Sequence, residues 1–237
     1  MRPKLSTLLL TLGFLISLPM AAAREHVILL HGLMRSKAAM APMAEALTRA
    51  GYTVHNLDYP SRTAPIAQLA DDAIGPALAE CHAQGAEKIH FVTHSLGGIL
   101  VRSYFSRHAP DATLGRVVML GPPNQGSEVV DHLRDWWLFK KINGPAGQEL
   151  GTEAASTPNR LGPANFTVGI IAGHRSINWI NSGMIPGPDD GKVSVEHTKL
   201  AGMTDHIVLP VTHPFMARNR AVMARTLAFL RHGTFRG

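Results

Sequence analysis

A serine that closes a short apolar strand and opens a glycine-rich helix is placed to act as a nucleophile. Residues 88–93 (Lys-Ile-His-Phe-Val-Thr) read as a buried strand, and residues 99–105 (Ile-Leu-Val-Arg-Ser-Tyr-Phe) read as the first turns of a helix. Ser95 stands between them, followed by Leu96, Gly97 and Gly98. So tight a turn strains the serine backbone and lifts the hydroxyl clear of the sheet. The two glycines, lacking a Cβ, let the helix pack close to the strand. The Leu96 amide, at the helix N-terminus, points toward any negative charge that forms at the serine. A serine hydroxyl is a poor nucleophile at neutral pH and needs a base in hydrogen-bond reach. That base in turn needs a carboxylate to hold its tautomer. His213 follows the last apolar run directly, whereas His206 precedes it and belongs at the opposite edge. Asp189 and Asp190 lie in a Pro- and Gly-rich loop and are the acid candidates. The plainer alternatives are a glycine-rich turn at Ser95 and a solvated or calcium-binding turn at Asp189-Asp190-Gly191.

The elements that must carry these groups alternate along the chain. Apolar, β-branched runs at 26–30, 52–57, 88–93, 117–120, 166–173 and 207–211 read as strands. Ser36 is an N-cap for a helix to about residue 50, with Met40, Met43, Ala44 and Leu47 on one face as core and Gly51 as the stop. Ile66, Leu69, Ala70, Ala73, Ala77, Leu78 and Cys81 mark a second helix, which Pro76 should kink. The helix after Ser95 runs to about His108, and a closing helix runs from Phe215 through Leu230. This alternation predicts an α/β fold: a mostly parallel six-stranded sheet with helices on both faces. Functional groups in such sheets gather at the carboxyl ends of strands. That brings Ser95, Asp190 and His213 to one rim. Residues 128–165 break the pattern: Val129, Val130, Leu133, Trp136, Trp137, Leu138 and Phe139 crowd together, then glycines and prolines interrupt any long helix.

Thr93-His94-Ser95-Leu96-Gly97 resembles the nucleophile elbow of the α/β-hydrolase family, with Thr93 where the family pattern has Gly. Asp190-Gly191-Lys192-Val193 is similar to the Asp-Gly-x-Val of bacterial lipases, which favours Asp190 over Asp189. Pro123-Asn124-Gln125-Gly126-Ser127 resembles the loop that follows the same strand in bacterial lipases and related esterases. The order Ser95, Asp190, His213 is the order of that family. The resemblance implies a minimal hydrolase fold without the two antiparallel strands that open many members. It implies a lid-like insert at about 128–165, whose Trp-Trp-Leu-Phe cluster lines an acyl pocket or forms a docking seam. It implies an oxyanion hole made by the amides of Leu96 and of Leu33, or Met34 if the loop is shifted by one, after His31-Gly32. His31 itself ties that loop down, and His94, beside the nucleophile, packs behind it. The implied reaction is hydrolysis of carboxylic acyl or lipid esters through an acyl-enzyme, with no cofactor. An acyltransferase with the same triad and a non-catalytic binding protein of the same fold are the alternatives.

Composition narrows the rest. With 45% apolar and 17% charged residues in 237, the chain can bury a sizeable core as one domain over 24–237. Arg2 and Lys4, the apolar run 5–18 and Ala21-Ala22-Ala23 form a secretory signal over 1–23, which implies export to the periplasm or beyond. The net charge of +6 falls by two without Arg2 and Lys4, and the other basic residues are scattered. No aromatic–basic platform for nucleic acid appears, whereas transient contact with a membrane surface fits the sign. No obligate protein partner is evident. Cys81, the single cysteine, reads as a buried thiol, and the histidines show no metal-ligand spacing such as His-x-x-x-His.

Overall fold

The computed structural model describes residues 24–236; the expected signal over 1–23 lies outside them. Six strands, β1 (Glu25–Leu30), β2 (Thr53–Leu57), β3 (Lys88–His94), β4 (Leu114–Leu120), β5 (Val168–Gly173) and β6 (Asp205–Leu209), form one sheet in the order β2-β1-β3-β4-β5-β6. Every adjacent pair is parallel. Side-chain alternation divides the core. Ile28 and Leu30 of β1, with Phe91, Val117, Met119 and Ile170, face the helices α2 (Ile66–Ala83) and α3 (Leu96–Arg107). Val27 and Leu29, with Val92, Val118, Leu120 and Ile171, face α1 (Ala41–Arg49) and α8 (Arg220–His232). Met40 and Met43 are fully buried in the second layer, as their spacing predicts.

Four local departures have local causes. The first helix does not start at Ser36: a 3-10 turn (Lys37–Met40) precedes α1, Ser36 makes no capping bond, and α1 opens with Pro42 in its first turn. Helix α2 continues through Pro76 as one element; Gly75, with no Cβ, removes the clash that a proline ring imposes on the residue before it. The last strand sits two residues earlier than its apolar run suggests, because Pro210 has no N–H to donate to the ladder. The closing helix is split into a 3-10 turn (His213–Arg218) and α8, whose start Asn219 caps by accepting from the amides of Ala221 and Val222.

The irregular stretch 128–165 folds into α4 (Glu128–Leu133), α5 (Trp137–Gln148) and α6 (Thr157–Arg160). Helix α5 is broken at Gly144 (φ 63°, ψ −171°). A Cβ there would lie 2.0 Å from the Arg62 carbonyl, so only glycine lets this turn lie against the loop after β2. One more short helix, α7 (Trp179–Ser182), follows β5. No helix among the described residues is long and apolar enough to cross a membrane.

Candidate active site

The strand order reverses between β1 and β3, and the carboxyl ends of these two strands carry the Gly32 loop and Ser95, where ligands of open α/β sheets gather. Ser95 has φ 55° and ψ −121°, strained backbone for a residue with a side chain. Met34, at φ 59°, is the one other non-glycine with positive φ among the described residues, and it lines the same cavity. Glycines permit the packing: a Cβ on Gly97 would lie 2.7 Å from the Leu30 carbonyl, and one on Gly32 would lie 3.1 Å from the Ser95 Cβ. Thr93 is fully buried at the first elbow position, and its Oγ1 sits 3.3 Å from where a Gly98 Cβ would be. The missing side chain at Gly98 makes room for the extra one at Thr93.

Asp190 and His213 are brought together from opposite sides of β6. The imidazole Nδ1 donates to Asp190 Oδ2 at 2.7 Å, and the His213 amide donates to the Asp190 carbonyl at 2.9 Å. Both residues are buried. The other carboxylate oxygen, Oδ1, accepts from the amides of Lys192 and Val193 at 3.0 and 2.9 Å, which fixes the orientation of the carboxylate. Asp189 turns away: its Oδ1 accepts from the Gly191 amide and the Ser182 hydroxyl, both at 2.7 Å. Gly121, at φ 54°, closes the site from β4; a Cβ there would stand 3.0 Å from Asp190 Oδ2 and 3.1 Å from His213 Nδ1. His206 lies at the amino end of β6 against the Thr198 hydroxyl, 2.9 Å away, and takes no part.

The neighbouring imidazoles are structural. His94 Nε2 donates to the His213 carbonyl at 2.9 Å, with the two rings 4.7 Å apart. Burial and the His213 charge pull His94 down to about 3, so it stays neutral. His31 is fully buried, donates from Nδ1 to the Gly32 carbonyl at 2.8 Å, and stacks on Tyr59, whose hydroxyl returns a bond to the His31 carbonyl at 2.6 Å. The Met34 amide donates to Ser61 Oγ at 3.0 Å, which leaves Leu33, among these two, with the amide free for an oxyanion.

Ser95, His213 and Leu33 line one cavity of about 390 Å³. The insert supplies an apolar wall from Val129, Val130, Phe139 and Leu150. Trp136 and Trp137 contribute neither to this wall nor to a buried seam; they are 53% and 67% exposed. Two groups escaped sequence reasoning. Arg102, on the apolar helix α3, is buried and forks to the carbonyls of Asn124, Pro158 and Gly162 at 2.8–2.9 Å, tying the insert to the loop after β4. A lone charge inside an apolar helix face was its signal. Arg35 and Lys192, both exposed at the cavity, set two positive charges beside it.

The family model of the α/β-hydrolase fold matches residues 25–167. The chain belongs to the α/β-hydrolase family. Among solved structures, the mature form of a Bacillus licheniformis lipase superposes with a TM-score of 0.70 at 20% identity, covering 90% of this chain and 94% of that one. A Pyrococcus furiosus esterase gives 0.62 at 18% identity, covering 88% and 82%. One of the metagenome-derived lipolytic enzymes LipS and LipT gives 0.62 at 18%, covering 89% and 94%. The curated proteins contain no match to this sequence. As a hydrolase fold, the chain keeps the six parallel strands and adds a short three-helix insert after β4.

Proposed function

We propose that this hydrolase is exported and cleaves carboxylic esters of lipids or other acyl alcohols, with Ser95 as nucleophile, His213 as base and acid, and Asp190 as its orienting carboxylate. The observation that carries the reading is the buried 2.7 Å bond from His213 Nδ1 to Asp190, in a cavity that His213 shares with a strained Ser95. Held by Asp190, the imidazole keeps its proton on Nδ1 and leaves Nε2 free to accept one. Ser95 Oγ attacks the ester carbonyl and its proton passes to Nε2. The amides of Leu33 and Leu96 hold the resulting oxyanion, each lowering the barrier by roughly 3–4 kcal/mol. The carbon–oxygen bond to the alcohol then breaks, and the alcohol leaves with the proton from Nε2. Water, activated by the same nitrogen, releases the acid and regenerates the serine. The apolar wall of Val129, Val130, Phe139 and Leu150 suits an acyl chain.

The leader over 1–23 supports export, with Arg24 as the mature N-terminus. The bordering elements support transient contact with a lipid surface. Trp137 begins α5, which supplies Phe139 to the cavity, and the 81%-exposed Trp179 lies on α7, which Asn181 holds to Gly191 beside Lys192. Such exposed aromatics, with Lys140 and Lys141 adjacent in sequence to the cluster, fit an anionic interface.

A fluorophosphonate probe tests the chemistry directly. It should attach to Ser95, fail on Ser95→Ala, and react far more slowly with His213→Ala. Turnover of p-nitrophenyl esters by Ser95→Ala should fall on the order of a thousandfold or more. A loss under about tenfold would assign the nucleophile elsewhere. Peptide mapping of periplasmic or secreted material should begin at Arg24; a chain retaining Met1 would refute export with cleavage.

A further inference from the structure

On the far side of the sheet from the Asp190 loop, β1, β2 and α2 bring three metal-ligand side chains together. His26 lies on the same face of β1 as Ile28 and Leu30, which pack toward α2. His55 pairs in register with Ile28 and shares that face. Cys81 projects from α2 into the same core layer. His26 Nδ1 and His55 Nε2 are 2.9 Å apart, the two rings stack at 5.1 Å, and one ring nitrogen from each imidazole lies with Cys81 Sγ so that all three are within 4.8 Å of one another. No other group of three or more such residues converges in this way among the described residues. His26 is 3% exposed and Cys81 fully buried.

We propose that His26, His55 and Cys81 form a metal site that takes Zn²⁺ through Nδ1, Nε2 and Sγ. Two imidazole nitrogens and a thiolate are the donor set of a borderline-soft d¹⁰ ion, and are unsuited to Ca²⁺ or Mg²⁺, which demand oxygen. With bonds of about 2.0–2.1 Å to nitrogen and 2.3 Å to sulfur, donors around tetrahedral zinc stand about 3.3–3.6 Å apart. The imidazoles therefore open by a few tenths of an ångström and the thiol closes in by up to about 1.2 Å, within reach of side-chain rotation. The second shell also fits: Glu80 Oε1 lies 3.9 Å from His55 Nδ1, the nitrogen that must carry the proton when Nε2 binds metal. Glu80 is 60% exposed, so the site is reached from solvent past His55.

The protons balance. The one shared between the two imidazoles moves to the far nitrogen of its own ring, and the Cys81 thiol proton leaves to solvent, one per ion bound. The ion would tie edge strand β2 to β1 and α2, a structural role distant from Ser95. It does not depend on the esterase reading.

Purified protein, stripped with EDTA and titrated with Zn²⁺, should bind one equivalent per chain and gain several degrees in Tm. Co²⁺ at the same site should give the intense near-ultraviolet band of a cobalt–thiolate bond. Cys81→Ala should abolish that band. His55→Gln should weaken Zn²⁺ binding on the order of a hundredfold. In both variants, ester turnover without metal should stay within about twofold of the parent. If the core variants fail to fold, X-ray absorption of the zinc-loaded parent still decides: one sulfur and two imidazoles are required. Substoichiometric uptake by the parent, a sulfur-free shell, or binding unchanged in both variants overturns the proposal.

Discussion

Asp189 and Asp190 are adjacent carboxylates whose difference lies in what their oxygens meet. Asp190 faces the imidazole of His213, and Asp189 stitches its own loop through Gly191 and Ser182. Asp190→Asn should therefore lower kcat on the order of ten-thousandfold with the fold intact, because the amide selects the wrong tautomer of His213. Asp189→Asn should act on stability, lowering it by about 1–2 kcal/mol in denaturant unfolding, with a much smaller loss in kcat. Gly121 is constrained twice, by its φ of 54° and by the 3.0 Å approach to Asp190 Oδ2. Gly121→Ala should push the carboxylate and imidazole apart and reduce kcat/KM at least tenfold. Thr93 shows compensation between residues: a side chain appears at one elbow position because none exists at Gly98.

At the scale of elements, the insert packs Val130, Ala146 and Leu150 into the core, and Arg102 fastens it further. Its guanidinium reaches carbonyls on the loop after β4, in the first turn of α6 and just past the end of α6. Burial lowers it to about 10, still charged at neutral pH. Arg102→Ala removes the donor from two buried carbonyls, Asn124 and Pro158, and from the part-buried Gly162 carbonyl, and should reduce unfolding free energy on the order of 3 kcal/mol. Arg102→Lys should recover little, since an ammonium cannot span the fork. Hydrogen exchange should report faster opening of 150–165 in the variant, with β1 and β3 unchanged. The expectation of a broken helix in this stretch matched the fold, since Gly144 and Pro145 do interrupt α5. Of the Trp-Trp-Leu-Phe cluster, expected to line the pocket or to form a docking seam, Phe139 lines the cavity, while Trp136 and Trp137 do neither. A run of four large apolar residues signals burial of some, and the helix phase that decides which is set by the Gly144–Arg62 contact, which joins residues distant in sequence.

For the molecule as a whole, buried histidines set the acid limit. Burial, with the Arg116 charge, pulls His90 down to about 4, and burial, with the His213 charge, pulls His94 to about 3. Unfolded, each binds a proton near pH 6.5. Between those values the unfolded state holds more protons, so stability is full above about pH 6.5 and is lost as the pH falls through about 4. Tm should accordingly decline from pH 7 to pH 4, and His90→Gln should flatten the decline measured by circular dichroism. The exposed tryptophans Trp136, Trp137 and Trp179 make a second prediction at this scale. Vesicles rich in phosphatidylglycerol should shift tryptophan emission to the blue, and neutral vesicles should do so less. Emission unchanged by either would remove the lipid-surface contact from the proposal.

From the sequence came the alternation that specifies a parallel sheet and the turn at Ser95, which depend on neighbours a few residues apart, and the order of serine, acid and histidine, which rests on the resemblance to the family. Period and turn chemistry are local, and the chain records them directly. The tertiary structure brought Asp190, which the sequence already favoured, against His213 and left the Leu33 amide free beside Gly32, and it alone decided that Arg102 holds the insert. It also brought His26, His55 and Cys81 to one point. Each of these rests on contacts between residues remote in the chain, whose distances are fixed by sheet order and register and leave no periodic trace in the sequence.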